Sequence, residues 1–139
     1  MNIVRLVLAG LVALVFLTVC GMLLAPVLFP SETALFPGYR RAEPVFVFRL
    51  LAWVITAGLL ARIFPIGYRG GVPWAEGLRF GMLMGVLAGL PAALDTYANL
   101  EVGFPILLTA VLWHVITWGV AGALIGAVYA PALVHLRKQ

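Results

Sequence analysis

The sequence predicts an all-α integral membrane protein, a single transmembrane domain over 1–139 built as a four-helix bundle with glycine-zipper packing of helices 3 and 4. Composition is the first reason: 64% of the 139 residues are apolar, 10% are charged and the mean hydropathy is +1.12. Soluble domains hold roughly 45–50% apolar and 25% charged residues. The second reason is where the charge sits. It falls in short clusters separated by four segments almost free of it, about 6–29, 44–61, 80–94 and 104–130. A bilayer core of about 30 Å takes about 20 helical residues, a length the third segment reaches if Pro73–Arg79 supplies its first turns. The third reason is a run of glycines at intervals of four inside the third segment. Helices are therefore expected at about 3–29, 44–64, 73–94 and 104–130, leaving no room for a separate soluble domain.

The first segment follows Arg5 and runs for about 24 apolar residues, longer than the core of a cleaved signal and without a small-residue cleavage site at its end. Leu17-Thr-Val-Cys20 is a poor lipoprotein site, because Val19 stands where a small residue is required. A plain spanning helix is expected, with Cys20 as a small buried apolar residue. As the single cysteine, Cys20 excludes an internal disulfide and a cysteine-rich metal site.

Prolines mark most of the remaining boundaries. Pro44, Pro73 and Pro105 stand at or near segment starts, where a missing N–H costs nothing, and Pro30, Pro65 and Pro131 stand just past expected ends. Pro26 and Pro91 fall inside last turns, where neighbours must satisfy the freed carbonyls, and Pro37 lies in the first loop. In the second segment Arg49 is expected to snorkel towards the interface.

An even number of spans puts both termini and the 65–72 loop on one side, with Arg5, Arg62, Arg69, Arg79, Arg137 and Lys138 against Arg40, Arg41 and Arg49 on the other. That bias predicts a multi-pass protein of a cell inner membrane with both termini cytoplasmic. Tyr39, Tyr68, Trp74, Tyr97 and Tyr129 fall near the expected interfaces. The net charge of +4 is spread over several loops on both sides, so no nucleic-acid footprint is present.

In the third segment, Gly77, Gly81, Gly85 and Gly89 share one helix face. Glycine inside a soluble helix costs about 1 kcal/mol against alanine, but in lipid a stripe without side chains lets two backbones meet closely. The fourth segment carries a matching series, Gly122 and Gly126 in line with Trp118 and Ala130, flanked by Gly119, Ala123 and Ala127. Helices 3 and 4 are expected to form a tight antiparallel hairpin, or each to pair with another copy or another membrane protein. Glu76 and Arg79, three residues apart at the start of the third helix, suit the helix dipole and each other.

Intramembrane polar residues are the usual pointer to function. His114, about eleven residues into the fourth segment on the line through Trp118, Gly122 and Gly126, is expected to face protein. It is a candidate ligand or proton site, or else a neutral ring bonded to a neighbouring carbonyl. A haem would require a second ligand from elsewhere, since His135 lies too far along the same helix. Asp95 and Tyr97, with Glu101, Arg40 and Arg41, are candidates for a polar mouth at the outer end, or for an ordinary solvated loop.

No paired intramembrane carboxylates, His-rich metal motif, nucleophile-and-base spacing or phosphate-cradling loop is present, so no catalytic residues, metal or cofactor are expected. The chain is similar in size to small multidrug transporters, yet Asn2–Phe29 has no acid where their first helix carries an essential glutamate. Membrane-associated eicosanoid and glutathione enzymes are also similar in size, but their Arg- and Glu-rich motifs have no match; quinone-linked thiol oxidases need cysteine pairs. The expectation is a non-enzymatic accessory, assembly or scaffold subunit whose partners are the lipid bilayer and itself or another membrane protein, through the glycine faces. The alternative is a small homo-oligomeric channel or carrier using His114, Trp118, Asp95 and Tyr97.

Overall fold

The computed structural model describes residues 3–28, 45–101 and 103–136, and all its regular structure there is helical. Four helices are long and apolar enough to cross a membrane. The first, α1, covers Ile3–Val19 and passes through a π-helical turn, Cys20–Leu24, into a last α turn, Ala25–Leu28. The wide turn directly precedes Pro26, whose ring conflicts with the carbonyl four residues back in a regular α-helix. Here the Ala25 N–H reaches back five residues to the Cys20 carbonyl, which opens the turn where the proline needs room.

Helix α2 covers Phe46–Gly67, α3 Pro73–Asn99 and α4 Phe104–Leu136. Three ends differ from the expected ones, for one common reason. A proline removes a single N–H donor without stopping a helix that packing holds, and Pro65, Pro91 and Pro131 all lie inside helices. The 44–64 helix thus runs on to Gly67, the 73–94 helix to Asn99 and the 104–130 helix to Leu136. Pro30, Pro37 and Pro44, with Arg40, Arg41 and Tyr39, lie outside the described residues.

Between α2 and α3 the chain turns in five residues. Gly70 adopts a φ of +88°, open to glycine but strained for L side chains. The Tyr68 hydroxyl donates to the Gly71 carbonyl at 2.5 Å and ties the turn down. Helix α3 then starts with Pro73 in its first turn and Glu76 as the first-turn acid.

Helix α4 is the hub, with α3 along one face and α1 and α2 on the other. On the α3 side the two backbones run antiparallel in a constant register. A side chain at Gly77 would strike the Gly122 carbonyl, one at Gly81 the Trp118 carbonyl, and one at Gly85 the His114 carbonyl at 2.6 Å. From the other strand of this contact, a side chain at Gly126 would strike the Pro73 carbonyl. Each step of four along α3 thus meets a step of four back along α4, and Gly77, Gly81, Gly85 and Gly89 are all buried.

On the other face, Ala121, Ile125 and Tyr129 pack with Ala9, Ala13 and Leu17 of α1 and Ala57, Leu60, Ala61 and Phe64 of α2. Phe64 gathers an aromatic cluster, with ring centroids 5.8 Å from Phe80, 6.1 Å from Tyr68 and 6.1 Å from Tyr129. The Tyr129 hydroxyl donates to the Ala61 carbonyl at 3.2 Å. That carbonyl is the one whose helical donor Pro65, four residues on, does not possess. A tyrosine from α4 therefore satisfies the acceptor that the proline in α2 leaves free.

Two expectations follow for unfolding in detergent micelles, read by circular dichroism. Gly81→Ala forces α3 and α4 apart and should cost about 1–3 kcal/mol or more, whereas Gly58→Ala, with nothing within 4 Å of the added carbon, should be neutral or stabilising by up to about 1 kcal/mol. Tyr129→Phe should cost about 1–3 kcal/mol by orphaning a buried carbonyl. Most of that loss should vanish in a Pro65→Ala background, where the restored N–H can serve Ala61; an undiminished loss there would mean that the hydroxyl acts in some other way.

Candidate functional site

Polar side chains on these apolar helices find partners first on their own backbone. Thr109 donates to the Pro105 carbonyl at 2.5 Å, Thr117 to Trp113 at 2.7 Å and Thr96 to Ala92 at 2.8 Å. His114 does the same: its Nδ1 lies 2.8 Å from the Ala110 carbonyl, one turn back along α4. A carbonyl only accepts, so Nδ1 carries the hydrogen and the lone pair of the neutral ring belongs to Nε2.

Gly89 makes the room for this ring. A side chain added at Gly89 would come within 2.8 Å of His114 Cβ and 3.1 Å of its Cγ. The last glycine of the α3 stripe thus faces the histidine side chain, where the three before it face backbone. On its other flank the imidazole lies against the Trp118 indole, centroids 6.3 Å apart and tilted by 54°.

His114 and Trp118 line a cavity of about 170 Å³ with Leu17, Cys20 and Gly21 of α1, Trp53 and Thr56 of α2, and Trp113 and Thr117 of α4. The wall is three indoles, two hydroxyls, a thiol and an imidazole, with no carboxylate. Gly21 admits the Trp53 ring: its added Cβ would lie 2.5 Å from the ring edge, at the π-helical turn of α1. Arg49 sits over that indole, its Cζ 5.8 Å from the ring centre. Cys20 is buried and shares the cavity with His114, without a hydrogen bond between them. Such a wall offers flat aromatic surface with an imidazole, a thiol and two hydroxyls as its polar groups, and it brings no carboxylate to the histidine.

The other site expectations fall elsewhere. Asp95 and Tyr97 are exposed on the last two turns of α3 and do not sit in a loop. Asp95 is engaged locally, taking a 3.1 Å hydrogen bond from Asn99 Nδ2. Neither residue lines the His114 cavity, and Arg40 and Arg41, the other half of the expected mouth, lie outside the described residues. Gly119, Gly122 and Gly126 are buried on the α3-facing side of α4. Trp53, Thr56 and Cys20 were not expected at the site. Trp113 and Thr117 flank His114 at one and three residues and were legible from that spacing, but α1 and α2 enter only through the topology.

No protein-family model matches the chain, and comparison with curated proteins and with solved structures gives no match. Function is therefore argued from the geometry.

The tautomer is directly measurable. Nitrogen-15 spectra of the neutral His114 ring, assigned against a His135→Gln control, should show a protonated Nδ1 and a bare Nε2. Gly89→Ala should broaden or shift both signals by pressing on the ring, while Gly10→Ala, in open space, should leave them in place.

Proposed function

We propose that this chain is a small non-enzymatic polytopic membrane protein, inserted in a bacterial-type inner membrane with both termini cytoplasmic, that works as an accessory, assembly or scaffold subunit. In this reading the α3–α4 hairpin is a glycine zipper, held by close backbone contact in a medium that supplies no hydrophobic force between helices. The supporting observation is the sidedness of α3. Its glycines are taken up by α4 of the same chain, while its opposite face presents Leu83, Leu87, Leu90 and Leu94, all exposed, at alternating spacings of four and three. That ridge is the face of α3 that α4 leaves uncovered, and in this reading a partner helix packs along it, or on glycine faces not taken up within the chain.

A second reading has its own observation. The cavity around His114 is open to a small ligand, and a channel or carrier would use it with Trp118 as its wall; Asp95 and Tyr97 contribute nothing to that cavity.

Native mass spectrometry of the protein gently extracted from its membrane tests both. A stable larger partner, lost when Leu83, Leu87 and Leu90 are changed together to alanine, is the result expected of a scaffold subunit. Multiples of the 14.9 kDa chain alone would favour the channel or carrier. His114→Phe should leave partner binding unchanged on the first reading and abolish transport on the second.

A further inference from the structure

A second cavity, of about 230 Å³, opens where α2 hands over to α3 and shares no lining residue with the one at His114. Its wall joins Arg69 from the tied turn, Glu76 and Arg79 from the first turns of α3, and an apolar floor of Phe64, Phe80 and Leu83. Arg79 stands about 9 Å along α3 from its start, one and a half turns in from the end of the bundle. The cleft therefore runs from a polar rim into apolar wall over the depth at which a lipid headgroup gives way to its acyl chains.

Two features prepare the rim for an anion. Arg69 is held in a turn fixed by Gly70 and by the Tyr68–Gly71 hydrogen bond, so its backbone is in place before anything binds. Neither Arg69 nor Arg79 forms an ion pair with Glu76 among the described residues. Glu76 packs instead over Gly71, where an added side chain would lie 2.6 Å from its Oε1. Two guanidiniums against one carboxylate leave the cleft with a net positive charge, and each can fork two N–H donors onto phosphate oxygens.

We propose that this cleft binds the phosphate headgroup of an anionic phospholipid, with Arg69 and Arg79 on the phosphate and Phe64, Phe80 and Leu83 against the first acyl carbons. The site rests on the membrane-spanning reading and adds to it a specific lipid partner at one end of the bundle.

The test uses the full chain in nanodiscs of phosphatidylcholine with a minor share of phosphatidylglycerol, followed by native mass spectrometry of the lipid that stays bound. The wild type should retain phosphatidylglycerol in preference to phosphatidylcholine. The double change Arg69→Gln/Arg79→Gln should lower that retention about tenfold or more, and Glu76→Gln should raise it. Arg49→Gln removes one unit of charge at the other end of α2, half of what the double variant loses, and should change nothing. Equal retention of both lipids, or an equal loss with Arg49→Gln, overturns the proposal while leaving the membrane reading intact. Displacement of the lipid by excess inorganic phosphate also overturns it, assigning the cleft to free phosphate. Failure of the wild type to enter nanodiscs overturns the membrane reading and the lipid site together. If the double variant does not fold, Glu76→Gln decides alone: unchanged retention overturns the proposal.

Discussion

The close approach of two backbones along α3 and α4 is the constraint on which the rest of this structure hangs. A side chain at Gly77, Gly81 or Gly126 would run into a carbonyl of the facing helix, so no residue but glycine fits without separating the pair. Contact at this range gathers many weak dispersion and Cα–H···O interactions along a whole helix length, and it needs no water to drive it. Because the register is constant, α3 cannot slide along α4 without driving a side chain into the stripe. A fixed α4 then presents a fixed second face, Ala121, Ile125 and Tyr129, with which buried residues of α1 and α2, four alanines among them, form one cluster.

Proline handling follows from the same packing. In an apolar medium an unpaired carbonyl is costly, and each proline inside a helix releases one. At Pro65 the acceptor released is Ala61, and α4 already lies close enough for Tyr129 to fill it. At Pro26 the conflict is local and the helix answers it locally, with a π-helical turn that also brings Gly21 against Trp53. Thr117 and His114 bond to carbonyls of their own helix, so these two half-buried polar side chains are satisfied inside α4. Among the described residues, one buried guanidinium nitrogen of Arg5 has no hydrogen-bond partner.

The two cavities differ in chemistry and share no lining residue. The one at His114 is lined from the end of α1 and its π-helical turn, the middle of α2 and the first half of α4, by indole, hydroxyl and thiol groups beside the imidazole and by no carboxylate. The one at the α2–α3 turn has two arginines and a glutamate at its rim and aromatic rings beneath. In the membrane reading proposed above, a charged site near the end of the helices shares its solvation with water and headgroups, which one at their centre could not do. The histidine cavity and the lipid cleft share no residue, whereas Leu83 belongs both to the floor of the cleft and to the leucine ridge of the scaffold reading.

Four apolar segments, their approximate starts and the glycine stripe of α3 are legible in the sequence, because length, hydropathy and a period of four are local properties of the chain. Gly77 to Gly89 could be placed on one face without knowing what that face touches, and His114 could be placed on the line through Trp118, Gly122 and Gly126. The helix ends at Gly67, Asn99 and Leu136 were not legible, since proline is a local signal for stopping and the packing that carries a helix past it is not local. Likewise the sequence does not join Cys20, Trp53 and Thr56 to His114, or Arg69 to Arg79 in one cleft, because those meetings depend on which helices are neighbours. The sequence by itself determined four apolar helices and the faces they carry, since a helix turns by a constant angle per residue. Only the tertiary structure decided that the glycines meet α4 of the same chain, that Tyr129 serves the carbonyl Pro65 leaves open, and which side chains share a cavity; each is a contact between segments far apart in sequence, set by the order of helices around α4.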